Sequence, residues 1–268
     1  MYQYTSIKHF ISEFILAISS YTKAVSFIRK NRLWTGFAEN KIVILALSIL
    51  GILLGLRFIK VIQAWWSNVH LENPFDLGIH AASLVGNVFS ESYQFFFAGS
   101  YKYLLLIIME LLIFHVAIRT NEILTGSKEK LTPSLFLNAQ IRMIKISVVS
   151  YAMELIASFL ISIGLSIIGM KFLKTPSIFL VQSFFLGFAL IDNYNEIRGL
   201  KIKDSLNYTK NFLGASTGIG MVLYILMMVP VLGPVLGTMV GAVATILCMH
   251  QLEKKLPYAD EIEHIEYV

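Results

Sequence analysis

Long apolar runs, interrupted by short polar or proline-bearing stretches, organise this chain. Residues 6–29 place Ile7, Phe10, Ile11, Phe14, Ile15, Ile18, Tyr21, Val25 and Ile28 at helical spacing, with Lys8, His9, Glu13, Ser19, Lys23 and Arg29 elsewhere. This pattern predicts an amphipathic N-terminal helix within residues 1–40, lying in a membrane interface or packed on the protein's own cytoplasmic face. Residues 42–66 predict a first full span, closing on the interfacial anchors Trp65 and Trp66, and residues 101–119 a second. Between them lies the segment 67–101, and after them a basic, partly helical connection over 120–145 with the turn signal Thr125-Gly126-Ser127. Runs 146–169 and 178–191 then predict a hairpin around Lys171, Lys174 and Pro176, its first arm carrying Ser158, Ser162 and Ser166 as a small-residue stripe and its second short for a span. Residues 200–213 read as an amphipathic surface helix.

The last hairpin, residues 214–250, folds around the charge-free turn Pro230-Val231-Leu232-Gly233-Pro234. Its arms of about sixteen apolar residues would each rise roughly 24 Å as helix, short of the ~30 Å hydrocarbon core of a bilayer. They predict a hairpin that dips into the membrane without crossing it. Gly233, Gly237 and Gly241 on one arm, and Gly214 and Gly218 on the other, recur at four-residue spacing and would let the two backbones close tightly. Residues 257–268, with Asp260, Glu261, Glu263 and Glu266, read as an acidic, solvated tail.

Composition places all of this in a bilayer. With 56% hydrophobic residues and a mean hydropathy of +0.68, the chain is too apolar for a soluble domain. No polar or proline-rich linker divides it, so one membrane domain is expected, and no cleavable signal peptide is evident. The net charge of +5 matters through its placement. Six Lys or Arg against two acids fall in residues 1–41, and five against two in 119–145, whereas 67–101 holds no Lys or Arg and three acids. The positive-inside rule then puts the N-terminus, the 120–145 connection and the C-terminus in the cytoplasm, and 67–101 outside.

The succession of an apolar run ending in Asp192, a basic amphipathic stretch, a Gly-rich run, a proline turn and Gly241-Ala242 reads FFLGFALIDNYNEIRGLKIKDSLNYTKNFLGASTGIGMVLYILMMVPVLGPVLGTMVGAVATIL. It resembles the CysZ-type sulfate permeases and their relatives among the etoposide-induced membrane proteins, closely over residues 180–250 and in segment order elsewhere. The resemblance implies an all-α integral membrane protein of the bacterial inner membrane, with two long transmembrane helices, helical hairpins that partly penetrate the bilayer and amphipathic interfacial helices. It further implies a homo-oligomer and passive passage of a small inorganic anion such as sulfate, with no cofactor. The family's sulfate members carry a Gly-Leu-Arg turn before the first span; here the corresponding stretch is Arg29-Lys30-Asn31-Arg32-Leu33-Trp34, which keeps the positive charge without the glycine. Gly55-Leu56-Arg57 lies inside the first span, and no role is carried over to it.

Anion passage needs fixed positive charge. Arg29, Lys30 and Arg32, with Arg142 and Lys145 at the start of the third apolar run, are the candidate anion-binding residues; the alternative is the ordinary positive-inside excess. Glu110 and Glu154 stand amid apolar residues, where a carboxylate is costly and is either paired or functional. Arg142 or Lys145 could pair with Glu154 across helices. Glu110 and His115, five residues apart, do not share a helix face, and no convergent ligands predict a metal site. Partners are therefore the lipid bilayer, a small anion and further copies of the chain, with no nucleic acid. Two other functions stay open. One is a non-transporting membrane scaffold or assembly protein. The remote one is an intramembrane serine hydrolase, since Gly214-Ala215-Ser216-Thr217-Gly218 matches a nucleophile pattern and His250 returns to a similar depth; the pattern lacks a preceding strand and an orienting acid, so no catalytic residue is assigned.

Overall fold

A computed structural model describes residues 7–35, 101–127, 132–229 and 232–254, with the single positions Leu56, Ile59, Lys60, Gln63 and Gly86. Apart from those positions, the expected first span, the segment 67–100, Pro230-Val231 and the acidic tail lie outside the described residues. Seven α-helices carry the fold among them: α1 (Ile7–Asn31), α2 (Tyr101–Thr125), α3 (Pro133–Ile167), α4 (Lys174–Ile197), α5 (Ile202–Thr209), α6 (Leu213–Met227) and α7 (Thr238–Glu253). Among the described residues, six stretches are long and apolar enough to cross a membrane: Ile7–Asn31, Tyr101–Thr125, Ser134–Ile167, Lys171–Ile197, Ile202–Met227 and Gly233–Glu253. The described fold is thus all-helical, and the length and composition of these helices make this a multi-pass membrane protein.

Several boundaries move relative to the sequence reading. Most of the expected 120–145 connection is helix: α2 continues to Thr125, and α3 starts early because Thr132 caps it by accepting the amide of Leu135 and Pro133 occupies the first helical turn. As a result α3 runs 35 residues, roughly 52 Å if straight. The arm expected at 178–191 begins at Lys174 and reaches Ile197. In the last hairpin, α5 and the 3-10 turn Lys210–Phe212 run into α6, and the π-helical turn Gly233–Gly237 runs into α7. The continuous segments, 26 and 21 residues, exceed the short arms read from the sequence, so arm length alone does not make this hairpin partial.

Close helix packing sets the architecture. α6 is sandwiched between α1 and α4 by two small-residue stripes on opposite faces. Gly214 and Gly218 face α1, where an added methyl would fall 2.1 Å from the Phe10 carbonyl oxygen and 2.8 Å from Ala17 Cβ respectively. Two positions along, some 200° around the helix, Ser216 and Gly220 meet Ser183 and Gly187 of α4. A methyl on Gly187 would lie 1.8 Å from the Ser216 oxygen, and one on Gly220 would lie 1.7 Å from that of Ser183. Gly214 and Gly218 therefore serve α1 and not the opposite arm of the hairpin. That arm's Gly233 and Gly237 abut Leu226, while Gly241 sits among Leu190, Tyr21 and Leu223.

α1 lies on the protein, burying Ala17, Tyr21, Ala24 and Ile28 against α6 and α7, with Ile7, Ile11 and Ile15 exposed on its other side. α2, apolar around most of its circumference, is enclosed by α3, α4 and α7. α3 is peripheral, and Leu155, Ile156, Phe159, Leu160 and Ile167 point outward along it. Ser158, Ser162 and Ser166 line an open groove of about 700 Å³ running to Lys174 at the start of α4.

Candidate functional site: ion pairs buried between the helices

Two layers of charge are enclosed where α2, α3 and α4 meet. In the first, Lys102 near the start of α2 is completely buried, and its Nζ lies 2.7 Å from Glu154 Oε1 on α3. Tyr103 donates its hydroxyl to the other carboxylate oxygen at 2.7 Å, so both acceptors are engaged. The ammonium also faces the rings of Tyr103 and Tyr224, 5.4 and 6.0 Å from their centroids. Tyr224 in turn donates to Gln182. Glu154 thus pairs with Lys102 and with neither Arg142 nor Lys145, the partners considered from the sequence. In sequence Lys102 reads as the polar margin of a span; the tyrosines on either side of it are the signal that marks it.

The second layer lies eight residues further along α2, about 12 Å at helical rise. Arg142 presents its guanidinium edge to Asp192 of α4, Nε to Oδ2 at 2.8 Å and Nη2 to Oδ1 at 2.9 Å, and donates Nη1 to the Leu200 carbonyl at 2.6 Å. Glu196 stands 3.7 Å from the same group. Glu110 of α2 is fully buried within the electrostatic reach of Glu196, Asp192 and Arg142, with Asn193 Nδ2 3.5 Å from its Oε2. Helical spacing aligns these groups, since Asp192 and Glu196 are one turn apart on the α4 face that meets α3. Glu110 and Arg142 stand out in the sequence, whereas Asp192 and Glu196 become recognisable as their neighbours only through the packing of α4 on α2 and α3.

Of the other candidate cations, Arg29, Lys30, Arg32 and Lys145 are exposed on the protein surface. Arg32 adopts a left-handed backbone, φ +49°, and the following amide, Leu33 N–H, bonds back to the Ile28 carbonyl at 3.2 Å. The turn after α1 therefore has the conformation that glycine favours, with an arginine in it. A third charged group ties the far ends of α4, α5 and α7: Glu253 accepts from Arg198, Tyr194 and Tyr208, and the guanidinium stacks on both rings. Burial is the largest influence on Arg198 and opposes its charge. Glu253, then Tyr208 and Tyr194, outweigh it and raise the guanidinium above its ordinary value.

No protein-family model, no curated protein and no solved structure matches this chain. The chemistry must be read from the arrangement itself. Ser216 is fully buried and donates its hydroxyl to the Phe184 carbonyl at 2.9 Å, which ties α6 to α4; no hydrogen bond joins it to His250 among the described residues. No group of three His, Cys, Asp or Glu is placed to hold a metal ion among the described residues. What the site offers is a guanidinium fork that already binds a carboxylate side-on and is 15% exposed.

Proposed function

We propose that this protein is a passive permease for a small inorganic oxyanion, with sulfate as the first substrate to test. The observation that carries this reading is the Arg142 fork. Its planar pair of donors, occupied by Asp192 at 2.8 and 2.9 Å, is the geometry in which arginine takes two oxygens of a tetrahedral oxyanion. Asp192 would act as an internal occupant that an arriving anion displaces, which keeps binding weak enough for release. Arg29, Lys30, Arg32 and Lys145 would concentrate anions near the protein surface. The resemblance to CysZ-type permeases supports the same reading, together with a bacterial inner membrane, cytoplasmic termini, partly penetrating hairpins and homo-oligomeric assembly.

A second reading, a non-transporting scaffold, is favoured by one observation: buried Lys102 and half-buried Arg142 are already neutralised by carboxylates. Proteoliposomes separate the two. Labelled sulfate should enter down its gradient without nucleotide, more slowly when Arg29, Lys30 and Arg32 are neutralised together, and barely at all with Arg142→Gln. Ser216→Ala should leave the flux unchanged. Absence of flux from folded, inserted protein would reject permeation of sulfate and favour the scaffold, while serine-dependent hydrolysis would revive the enzyme.

A further inference from the structure

We propose that Glu110 is a proton-binding site, a carboxyl group sealed within the bundle that exchanges its proton with water by way of Glu196. Asp192 and Glu196 of α4 stand 2.8 and 3.7 Å from one guanidinium, Arg142 of α3, and Glu110 of α2 meets the same stretch of α4 at Asn193, 3.5 Å from its Oε2, so three carboxyl groups gather near a single cation. If all were ionised, three negative charges would face one positive charge in an apolar setting. Uncompensated charge there is strongly disfavoured. Acids that share a site relieve it by retaining a proton.

Hydrogen bonding selects the holder. Asp192 accepts two donors from Arg142, and Glu196 faces the same guanidinium with a side chain 17% exposed. Glu110 has no exposure, one long approach from Asn193, and an Oε1 without a hydrogen-bond partner among the described residues. It is the least compensated of the three. On its own helix, Lys102 is taken by Glu154 and Arg119 pairs with Glu122, while His115 stacks on Phe136. On α7, the other helix against α2, His250 and Glu253 lie in the last turn, Glu253 on Arg198, and Cys248 lies beside Tyr21. In the exchange, the Glu110 O–H bond breaks and its proton passes to the Glu196 carboxylate at the exposed edge of the cluster, then to water. Arg142 stays charged throughout, and no co-reactant is consumed.

Infrared spectroscopy of the full chain in phospholipid vesicles tests this without any transported solute. At neutral pH the wild type should show a protonated-carboxyl C=O band that shifts in D2O and is lost in Glu110→Gln. Asp192→Asn removes one negative charge near Glu110 and leaves Arg142 to Glu196, 3.7 Å away, so that Glu110 should ionise more readily and the band weaken at unchanged pH. A wild-type spectrum without the band, a band that survives Glu110→Gln, or an Asp192→Asn spectrum equal to wild type would each overturn the proposal. Should Glu110→Gln fail to fold, the wild-type and Asp192→Asn spectra still decide it. Loss of sulfate flux with the band intact would refute the permease reading and leave the proton site standing.

Discussion

Glu13 and Gly214, 201 positions apart in sequence, are joined by a 3.0 Å hydrogen bond in which the Gly214 amide donates to the Glu13 carboxylate. The Ala215 amide approaches the same oxygen at 3.4 Å, so a side chain from α1 caps the N-terminus of α6. Glu13→Ala removes that acceptor from a buried helix end and should cost about 1–3 kcal/mol. The measurement is a thermal melt in detergent with limited proteolysis of α1. Wild-type melting and unchanged cleavage would show that the cap does not hold the helix.

Glycine substitutions should rank by what a new methyl meets. Gly187→Ala and Gly220→Ala drive it into backbone at 1.8 and 1.7 Å and should cost about 3 kcal/mol or more, with loss of monodisperse protein. Gly237→Ala meets only Leu226 Cβ at 3.0 Å and should be milder, although Gly237→Leu should still disrupt the hairpin. At Gly164 nothing lies within 4 Å, and Gly164→Ala should stabilise by about 0.5–1 kcal/mol through helix propensity. Size-exclusion melting curves across the series read the ranking; equal losses at Gly164 and Gly220 would contradict the assigned α4–α6 interface.

Removing one member of the Lys102–Glu154 pair strands a buried charge. Lys102→Met or Glu154→Met alone should therefore destabilise by about 3–5 kcal/mol. The double variant Lys102→Met with Glu154→Met should recover much of that loss. A double-mutant cycle with additive losses would mean that the two side chains are not coupled.

Arg32 holds a left-handed backbone at φ +49°. Arg32→Gly relieves the clash between Cβ and carbonyl oxygen and should raise stability by about 1 kcal/mol, while Arg32→Val should lower it. If the glycine variant melts below wild type, the side chain contributes contacts that outweigh the strain.

The tip of the last hairpin discriminates between dipping and crossing. Leu232, 60% exposed on the protein surface, should resist an external, membrane-impermeant thiol reagent when changed to Cys in a background lacking Cys248. Rapid labelling from outside would establish that both arms cross the bilayer.

Taken by itself, the sequence determined the class of protein and the approximate place of its helices. Runs such as Tyr101–Thr125 are too apolar to rest in water, and backbone groups in lipid must bond within their own segment, so helices follow from composition alone. It also marked Glu110 and Glu154 as exceptional, because an acid inside such a run is costly in any fold. Boundaries were less legible where polar residues lie inside a helix: Thr132-Pro133 starts α3 in a stretch whose charges resemble a loop. Partners were decided only by tertiary structure. Arg142, Lys145 and Lys102 are equally plausible mates for Glu154 in one dimension, and which of them reaches it depends on how α2 slides and turns against α3. The same holds for the glycines. Gly214 and Gly218 announce a close approach, but every helix can accept one, and only packing shows that α1 fills that groove while Ser216 and Gly220, half a turn away, receive α4.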